Sequence, residues 1–114
     1  MKSLITGGAG FLGSHVAEKL VKLNHKIVIL DNFSTGRKKN INHIKNKVKI
    51  INCDISKKGI WKKHFKGVDL VFHFAALADI VPSIKNPYSY FQTNTMGTLN
   101  ILEASKKIKI KKLI

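Results

Sequence analysis

The run Thr6-Gly7-Gly8-Ala9-Gly10-Phe11-Leu12-Gly13-Ser14-His15 sets the reading of the whole chain. It leaves a short apolar stretch, Lys2 to Thr6, and enters Phe11 to Leu23, where Leu12, Val16 and Leu20 recur at four-residue spacing and Leu23 closes the stripe. The first stretch is too short for a helix and reads as a strand. The second reads as one amphipathic helix, ended by Asn24, which tolerates the left-handed conformation. Gly8, Gly10 and Gly13 fit GxGxxG, while Gly7, Gly10 and Gly13 fit GxxGxxG. Glycine permits the tight turn out of the strand, lets main-chain N–H groups approach a diphosphate without a Cβ in the way, and allows the helix to pack close to the sheet. The helix N-terminus then turns the positive end of its dipole toward the phosphate charge. A glycine-rich turn alone is a weak signal, and its place between a strand and a helix is what points to a dinucleotide.

Outward from that turn, Lys26 to Leu30, Val48 to Cys53 and Val68 to Phe74 are further short runs rich in isoleucine, valine, leucine and phenylalanine. Their nearly continuous apolarity, as in Val28-Ile29-Leu30, predicts strands of a sheet covered on both faces. Ser56 is placed to cap a shorter helix with Ile60, Trp61, His64 and Phe65 on one side, Trp61 as a core anchor and Gly67 as its stop. Asn86-Pro87 opens the longest helix, which runs to about Lys107 with Phe91, Thr95, Leu99 and Leu102 facing inward and a Glu103/Lys107 surface pair. Lys109 to Ile114 begins a fifth strand. This alternation predicts an α/β fold with a doubly wound parallel sheet. A fifth strand begun so near the end would leave an apolar sheet edge uncovered, so the expectation is that more chain follows or that a partner supplies the missing layer.

The 114 residues allow one domain, in which folding removes roughly two thirds of the unfolded surface from water. Cys53 is the single cysteine, so no internal disulfide or CxxC site exists, and a reducing interior suits it better than secretion. Cys53 reads as a small buried hydrophobe rather than a reactive thiol. No apolar run approaches the ~18 residues of a membrane span, nor does the start resemble a signal peptide; the cytoplasm is the expected location and no membrane partner is expected. The formal charge of +15 invites a nucleic-acid reading. Against it, 20 of the 21 basic residues are lysine, Arg37 alone carries arginine's bidentate fork, and no aromatic platform interleaves with the lysines. Lysine, asparagine and isoleucine, all with A/T-rich codons, make up 44 of the 114 residues, so compositional bias with solvated lysine faces accounts for the charge and no nucleic-acid partner is expected. The five histidines and six carboxylates show no metal-ligand spacing, and no metal is expected.

A dinucleotide site also needs an acidic residue at the end of the second strand. Asp31 stands there, 18 residues beyond Gly13, where its carboxylate can accept from both hydroxyls of an adenosine ribose and would repel a 2′-phosphate, favouring NAD over NADP. Arg37 and Lys38 lie near enough in sequence to keep NADP open, and a turn-forming role before Asn32 is the structural alternative.

The glycine run, Leu30-Asp31-Asn32-Phe33-Ser34-Thr35-Gly36, Cys53-Asp54-Ile55, His73-Phe74-Ala75-Ala76-Leu77 and Asn94-Thr95-Met96-Gly97-Thr98-Leu99-Asn100 together resemble the extended short-chain dehydrogenase/reductases. Within them the chain is most similar to the NAD-dependent epimerase/dehydratases of nucleotide sugars, in particular the sugar 4-epimerases, and the resemblance runs along all 114 residues. It implies that residues 1–114 form the N-terminal part of an NAD-binding Rossmann-type domain, truncated at the start of the fifth strand, with the catalytic helix and substrate domain absent. It places Gly7, Gly10, Phe11, Leu12 and Gly13 at the pyrophosphate, Asp31, Asn32 and Ser34 on the adenosine side, and Asp54 and Ile55 beside the adenine. Phe74, Ala75 and Ala76 match the loop after the fourth strand, and Thr93 and Asn94 match positions near the nicotinamide half. Ser83 matches the part that shapes the sugar pocket, or is a loop hydroxyl, and a lysine that some sugar 4-epimerases carry after the loop is Ala78 here. The implied chemistry is a hydride taken by NAD from a sugar carbon and returned, with a tyrosine and lysine spaced Tyr-x-x-x-Lys. Tyr88 is followed at that spacing by Gln92 and Tyr90 by Asn94, so no catalytic residue is assigned. The implied partner is a nucleotide-sugar substrate, with a homodimer for the full-length enzyme. A stand-alone, non-catalytic dinucleotide-binding module is the other reading of these residues.

Overall fold

Strand β1 (Lys2–Thr6) occupies the middle of a five-stranded parallel sheet of order β3-β2-β1-β4-β5. The computed structural model describes all 114 residues, Met1–Ile114. The other strands are β2 (Lys26–Asp31), β3 (Val48–Asn52), β4 (Leu70–His73) and β5 (Lys112–Leu113). Helix α1 (Phe11–Lys22) links β1 to β2, and short 3-10 turns at Lys38–Asn40, Asn42–Ile44 and Ile60–Phe65 fill the next two crossovers. Helices α2 (Ile80–Lys85), α3 (Pro87–Tyr90) and α4 (Gly97–Ile108) lie between β4 and β5, with a π-helical segment, Phe91–Met96, joining α3 to α4.

Strand alternation explains why the strand sequences are apolar throughout. Leu4, Val28, Leu30 and Val71 point to one face, where Trp61, Phe65, Ile101 and Ala104 cover them. Ile5, Ile27 and Ile29 point to the other, covered by Ala17, Leu20, Ile41 and Ile44. Both faces of the sheet are therefore buried, as a parallel sheet requires, and the fold is the doubly wound α/β arrangement expected from the sequence.

Several helix faces differ from expectation. In α1 the buried residues are Gly13, Ser14, Ala17 and Leu20, whereas Leu12 is 62% exposed and Leu23 is also exposed. The small side chains win because they let the helix axis approach the sheet, and only Leu20 of the expected stripe is fully buried. Asn24 does adopt the left-handed conformation, at φ 60°. Ser56 caps no helix: its N–H and its hydroxyl both donate to Asp54 Oδ1, and the short helix beyond it begins after Gly59 as a 3-10 turn. Trp61 is 3% exposed and Phe65 is buried, but Ile60 is 79% exposed. A 3-10 turn places every third residue in line and cannot bury three consecutive members of an α-helical face.

Asn86 caps α3 by accepting from Ser89 N–H, with Pro87 at the first helical position. The expected single helix is then interrupted by the π segment, whose wider turn rotates α4 relative to α3. In α4, Gly97, Ile101, Ala104 and Ser105 face the sheet, while Leu99 and Leu102, like Phe91 and Thr95 in the π segment, are exposed. Glu103 forms no ion pair with Lys107; the close pairs are Lys22–Glu18 and Lys111–Asp69, with His43–Glu18 and Lys57–Asp54 longer. No helix is long and apolar enough to cross a membrane.

Candidate functional site

The turn after β1 is held by main-chain bonds: Gly7 N–H donates to Leu30 O at 2.9 Å and Gly10 N–H to Gly7 O at 3.0 Å. Gly7 has φ +66°, and a Cβ there would lie 2.7 Å from Ala75 N. Gly13 sits beneath the turn, where a Cβ would overlap the Gly7 carbonyl oxygen and lie 2.8 Å from Gly8 Cα. These two glycines set how closely helix, turn and β4 exit loop pack. Gly10 precedes α1 and offers no side-chain cap, and the first turn of the helix carries no acidic residue. Orphan N–H groups and the positive dipole end thus face outward with no anion supplied by the chain itself.

Asp31, at the end of β2, is 7% exposed. Its Oδ2 accepts from Ala9 N–H and its Oδ1 from Phe33 N–H, both at 2.8 Å. The carboxylate therefore ties the glycine turn to the loop after β2, and Ala9 O in turn accepts from Arg37 N–H and Asn40 Nδ2. Each Asp31 oxygen keeps a further lone pair for a ligand hydroxyl. A turn-forming role and a ligand role coexist in one side chain. After β3, Asp54 Oδ1 accepts from both Ser56 N–H and Ser56 Oγ, which orients its carboxylate. Cys53 beside it is half-buried and packs against the core; burial, with Asp54 and Asp31 nearby, pushes its thiol up to about 11. That keeps it protonated and unreactive near neutral pH.

The exit loop of β4 is fixed from two sides. Phe74 N–H donates to Thr6 O, and Ala75 N–H to Thr6 Oγ1 at 3.2 Å. Asn94 closes the other side: its Oδ1 accepts from Leu77 N–H at 2.8 Å and its Nδ2 donates to Leu77 O at 2.9 Å. The π segment makes this possible, since its wider turn carries Thr93 toward the cleft and Asn94 onto Leu77. Such bulges recur at functional sites. Replacing Asn94 by alanine removes both bonds and is expected to cost about 1–3 kcal/mol in denaturant unfolding. An unchanged midpoint would mean that Leu77 is held by something else.

These elements converge on one cleft at the carboxyl ends of β1 to β4. The strand order reverses direction between β1 and β4, and ligands of open α/β sheets bind at such a switch point. Of the residues expected from the sequence, Gly7, Gly10, Asp31, Asn32, Ser34, Asp54, Ile55, Phe74, Ala75, Ala76 and Thr93 line it. Phe11 and Leu12 stand exposed on the first turn of α1, Gly13 is packed beneath the glycine turn, and Asn94 is occupied by Leu77, so these four do not line the cleft. Ser83 is also outside it, with its hydroxyl turned back onto Ile80 O. Leu30, Thr35, Gly36, Cys53 and Leu77 complete the lining. At Gly36 a Cβ would lie 2.9 Å from Ala9 Cβ and 3.0 Å from both Asp31 oxygens, so any side chain there would crowd the carboxylate.

The family model described as "NAD dependent epimerase/dehydratase family" matches residues 3–114. A Methanocaldococcus jannaschii protein provisionally assigned as a UDP-glucose 4-epimerase is 44% identical over 112 residues, covering 97% of this chain and 36% of that protein. The UDP-N-acetyl-alpha-D-glucosaminuronate decarboxylase of Bacillus cytotoxicus is 41% identical over 110 residues, covering 96% and 34%. The UDP-glucose 4-epimerase of Thermus thermophilus, solved with NAD, superposes with a TM-score of 0.89 at 35% identity, over 99% of this chain and 36% of that one. The chain thus spans about a third of the length of these relatives. With a glycine turn, a β2 carboxylate and a β4 exit loop meeting at the switch point, and with that match from residue 3 to residue 114, the chain belongs to the NAD-dependent epimerase/dehydratase family.

Proposed function

We propose that the cleft binds NAD and that the chain supplies the dinucleotide-binding portion of a nucleotide-sugar epimerase or dehydratase of the UDP-sugar 4-epimerase type. The observation that carries this reading is the meeting of the uncapped α1 N-terminus, the Asp31 carboxylate and the Ala75–Leu77 backbone on one cleft. In this reading Gly7, Gly10, Phe11, Leu12 and Gly13 form the diphosphate turn. Asp31, Asn32 and Ser34 take the adenosine ribose, and Asp54 and Ile55 flank the adenine. Phe74, Ala75 and Ala76 form the loop whose backbone the cofactor lies against, Thr93 stands near the nicotinamide half, and Asn94 acts by holding Leu77. When bound, NAD supplies reversible hydride transfer with a sugar carbon. The residues present bind and orient; these 114 residues hold no tyrosine–lysine pair for the accompanying proton, so by themselves they bind without turnover. A homodimer for the full-length enzyme, as the family resemblance implies, belongs to the same proposal.

Calorimetric titration with NAD and NADP tests the assignment. Saturable NAD binding that Asp31→Ala weakens by about 1–3 kcal/mol is expected, with NADP weaker. Equal affinity for the two dinucleotides would sink it.

A further inference from the structure

Just below the cleft, and reaching its lining only at Ala75, a part-buried polar chain runs across three elements. Thr6 Oγ1 on β1 accepts from Ala75 N–H and lies 2.6 Å from His73 Nδ1, and His73 Nε2 lies 2.8 Å from Thr98 Oγ1 on α4. Thr6 is wholly buried. The Thr6 oxygen has lone pairs to spare beyond the one that serves Ala75, but its buried hydroxyl proton has a single acceptor in reach, His73 Nδ1. That nitrogen must then be the acceptor, and the neutral ring carries its proton on Nε2, directed at Thr98. The reverse tautomer would leave the wholly buried Thr6 hydroxyl proton without a partner, whereas this one leaves only the proton of the half-buried Thr98 hydroxyl to be placed.

We infer that His73 is a positioning residue for dinucleotide binding: as the neutral Nε2–H tautomer it fixes the Thr6 hydroxyl, which fixes Ala75 and with it the loop on which the cofactor lies. This deepens the NAD reading and rests on it. Protonation of His73 would set two donors, Nδ1–H and the Thr6 hydroxyl, against each other across 2.6 Å. The hydroxyl proton must then turn away and stay unpaired in a fully buried setting, a cost relieved only if Thr6 shifts and with it the bond to Ala75.

The surroundings of His73 simplify its titration. Thr6 faces it from β1 and Thr98 from α4, and the chain end at Ile114 meets its backbone N–H. Asp69 and Lys111, paired at 2.8 Å, lie at the far end of β4. No charged side chain shifts it; burial alone holds the imidazole below its ordinary value of 6.5. The neutral form therefore persists at pH 7 and above. Since the unfolded chain takes up the proton first, stability is full above about 6.5 and falls as the pH drops from there through the lowered folded value, whereas affinity falls only as the folded chain itself takes up the proton.

The test uses the 114-residue chain, first without ligand and then with NAD. Nitrogen-15 NMR of the free chain should show His73 protonated on Nε2 and the Ala75 amide shifting in step with His73 as the pH is lowered. NAD affinity should fall by about tenfold as the pH is lowered from about 7.5 through the range in which the His73 resonance titrates. In His73→Asn, whose side-chain oxygen takes the Nδ1 position without a titrating proton, affinity should stay within about threefold over that range, and in Thr6→Val it should be low throughout. An Nδ1–H tautomer at neutral pH, an Ala75 resonance indifferent to His73, or the same pH slope in wild type and His73→Asn overturns the inference. Ala75 titrating with His73 in a chain that binds no NAD would instead uphold the network and overturn the cofactor.

Discussion

Replacing Gly13 by alanine is expected to lower stability by about 3 kcal/mol and to abolish NAD binding together with it. A Cβ at this position would overlap the Gly7 carbonyl oxygen and crowd Gly8 Cα, and both obstacles are backbone. Neither can rotate aside, so α1 must move off the sheet or the glycine turn must open. Either movement displaces the N–H groups that face the diphosphate in our reading. Gly67→Ala is the informative comparison, because Gly67 has φ +73° but a methyl group there would meet nothing within 4 Å. It should cost only about 1–2 kcal/mol, from the left-handed backbone alone, and leave NAD affinity unchanged. Thermal unfolding and NAD titration of the two variants separate crowding at the turn from general loss of stability. A Gly13→Ala chain as stable as wild type would mean that α1 can shift without cost, against the packing seen here.

The second large effect is expected in the core. Trp61→Ala should destabilise by about 3–5 kcal/mol, whereas Ile60→Ala, one residue earlier, should change stability by less than about 0.5 kcal/mol. Trp61 packs against Phe65, with ring centroids 6.0 Å apart, inside the cluster that includes Leu4, Val71 and Ile101. Its indole N–H donates to Lys57 O at 3.1 Å, so truncation removes a hydrogen bond as well as leaving a cavity. Ile60 is mostly in solvent. Denaturant midpoints of the two variants decide it: comparable losses would show that Ile60 is buried after all, as an α-helical reading of this segment requires.

The contrast between those two residues illustrates where sequence reading succeeds. Strand β1 lies at Lys2–Thr6, as its apolar run predicts, and the other strands differ from their runs by a few residues at the ends. Apolar runs bounded by glycine, asparagine and aspartate leave few alternatives when both faces of a sheet are buried. The helix faces are harder. Leu12, Leu23, Leu99 and Leu102 are large and apolar, yet all are exposed, while Gly13, Ala17 and Ala104 lie against the sheet. Hydrophobicity ranks the leucines as the inward residues; close approach of helix to sheet selects the small ones.

The candidate site divides along the same line. Gly7, Gly10, Asp31, Asp54 and the Phe74-Ala75-Ala76 loop are legible because each lies at a strand end, and the order of a doubly wound sheet brings such ends together. Asn94 is also legible, but its partner is not. Its two bonds to Leu77 depend on the π segment, and nothing in Phe91–Met96 distinguishes that segment from an ordinary α-helix. The link from Ala75 through Thr6 and His73 to Thr98 is equally invisible, since it joins residues up to 92 positions apart.

The sequence by itself determined the succession of strands, the parallel sheet, the glycine turn and the acidic residue that ends β2, because these follow from local periodicity and from residues with few conformational alternatives. The tertiary structure alone decided which helix faces meet the sheet, that Asp31 braces the turn it also completes, and that His73 and Asn94 hold the loop bordering the cleft. Those outcomes depend on donors and acceptors far apart in the chain, and a buried hydrogen bond finds its partner only when the packing around it is fixed.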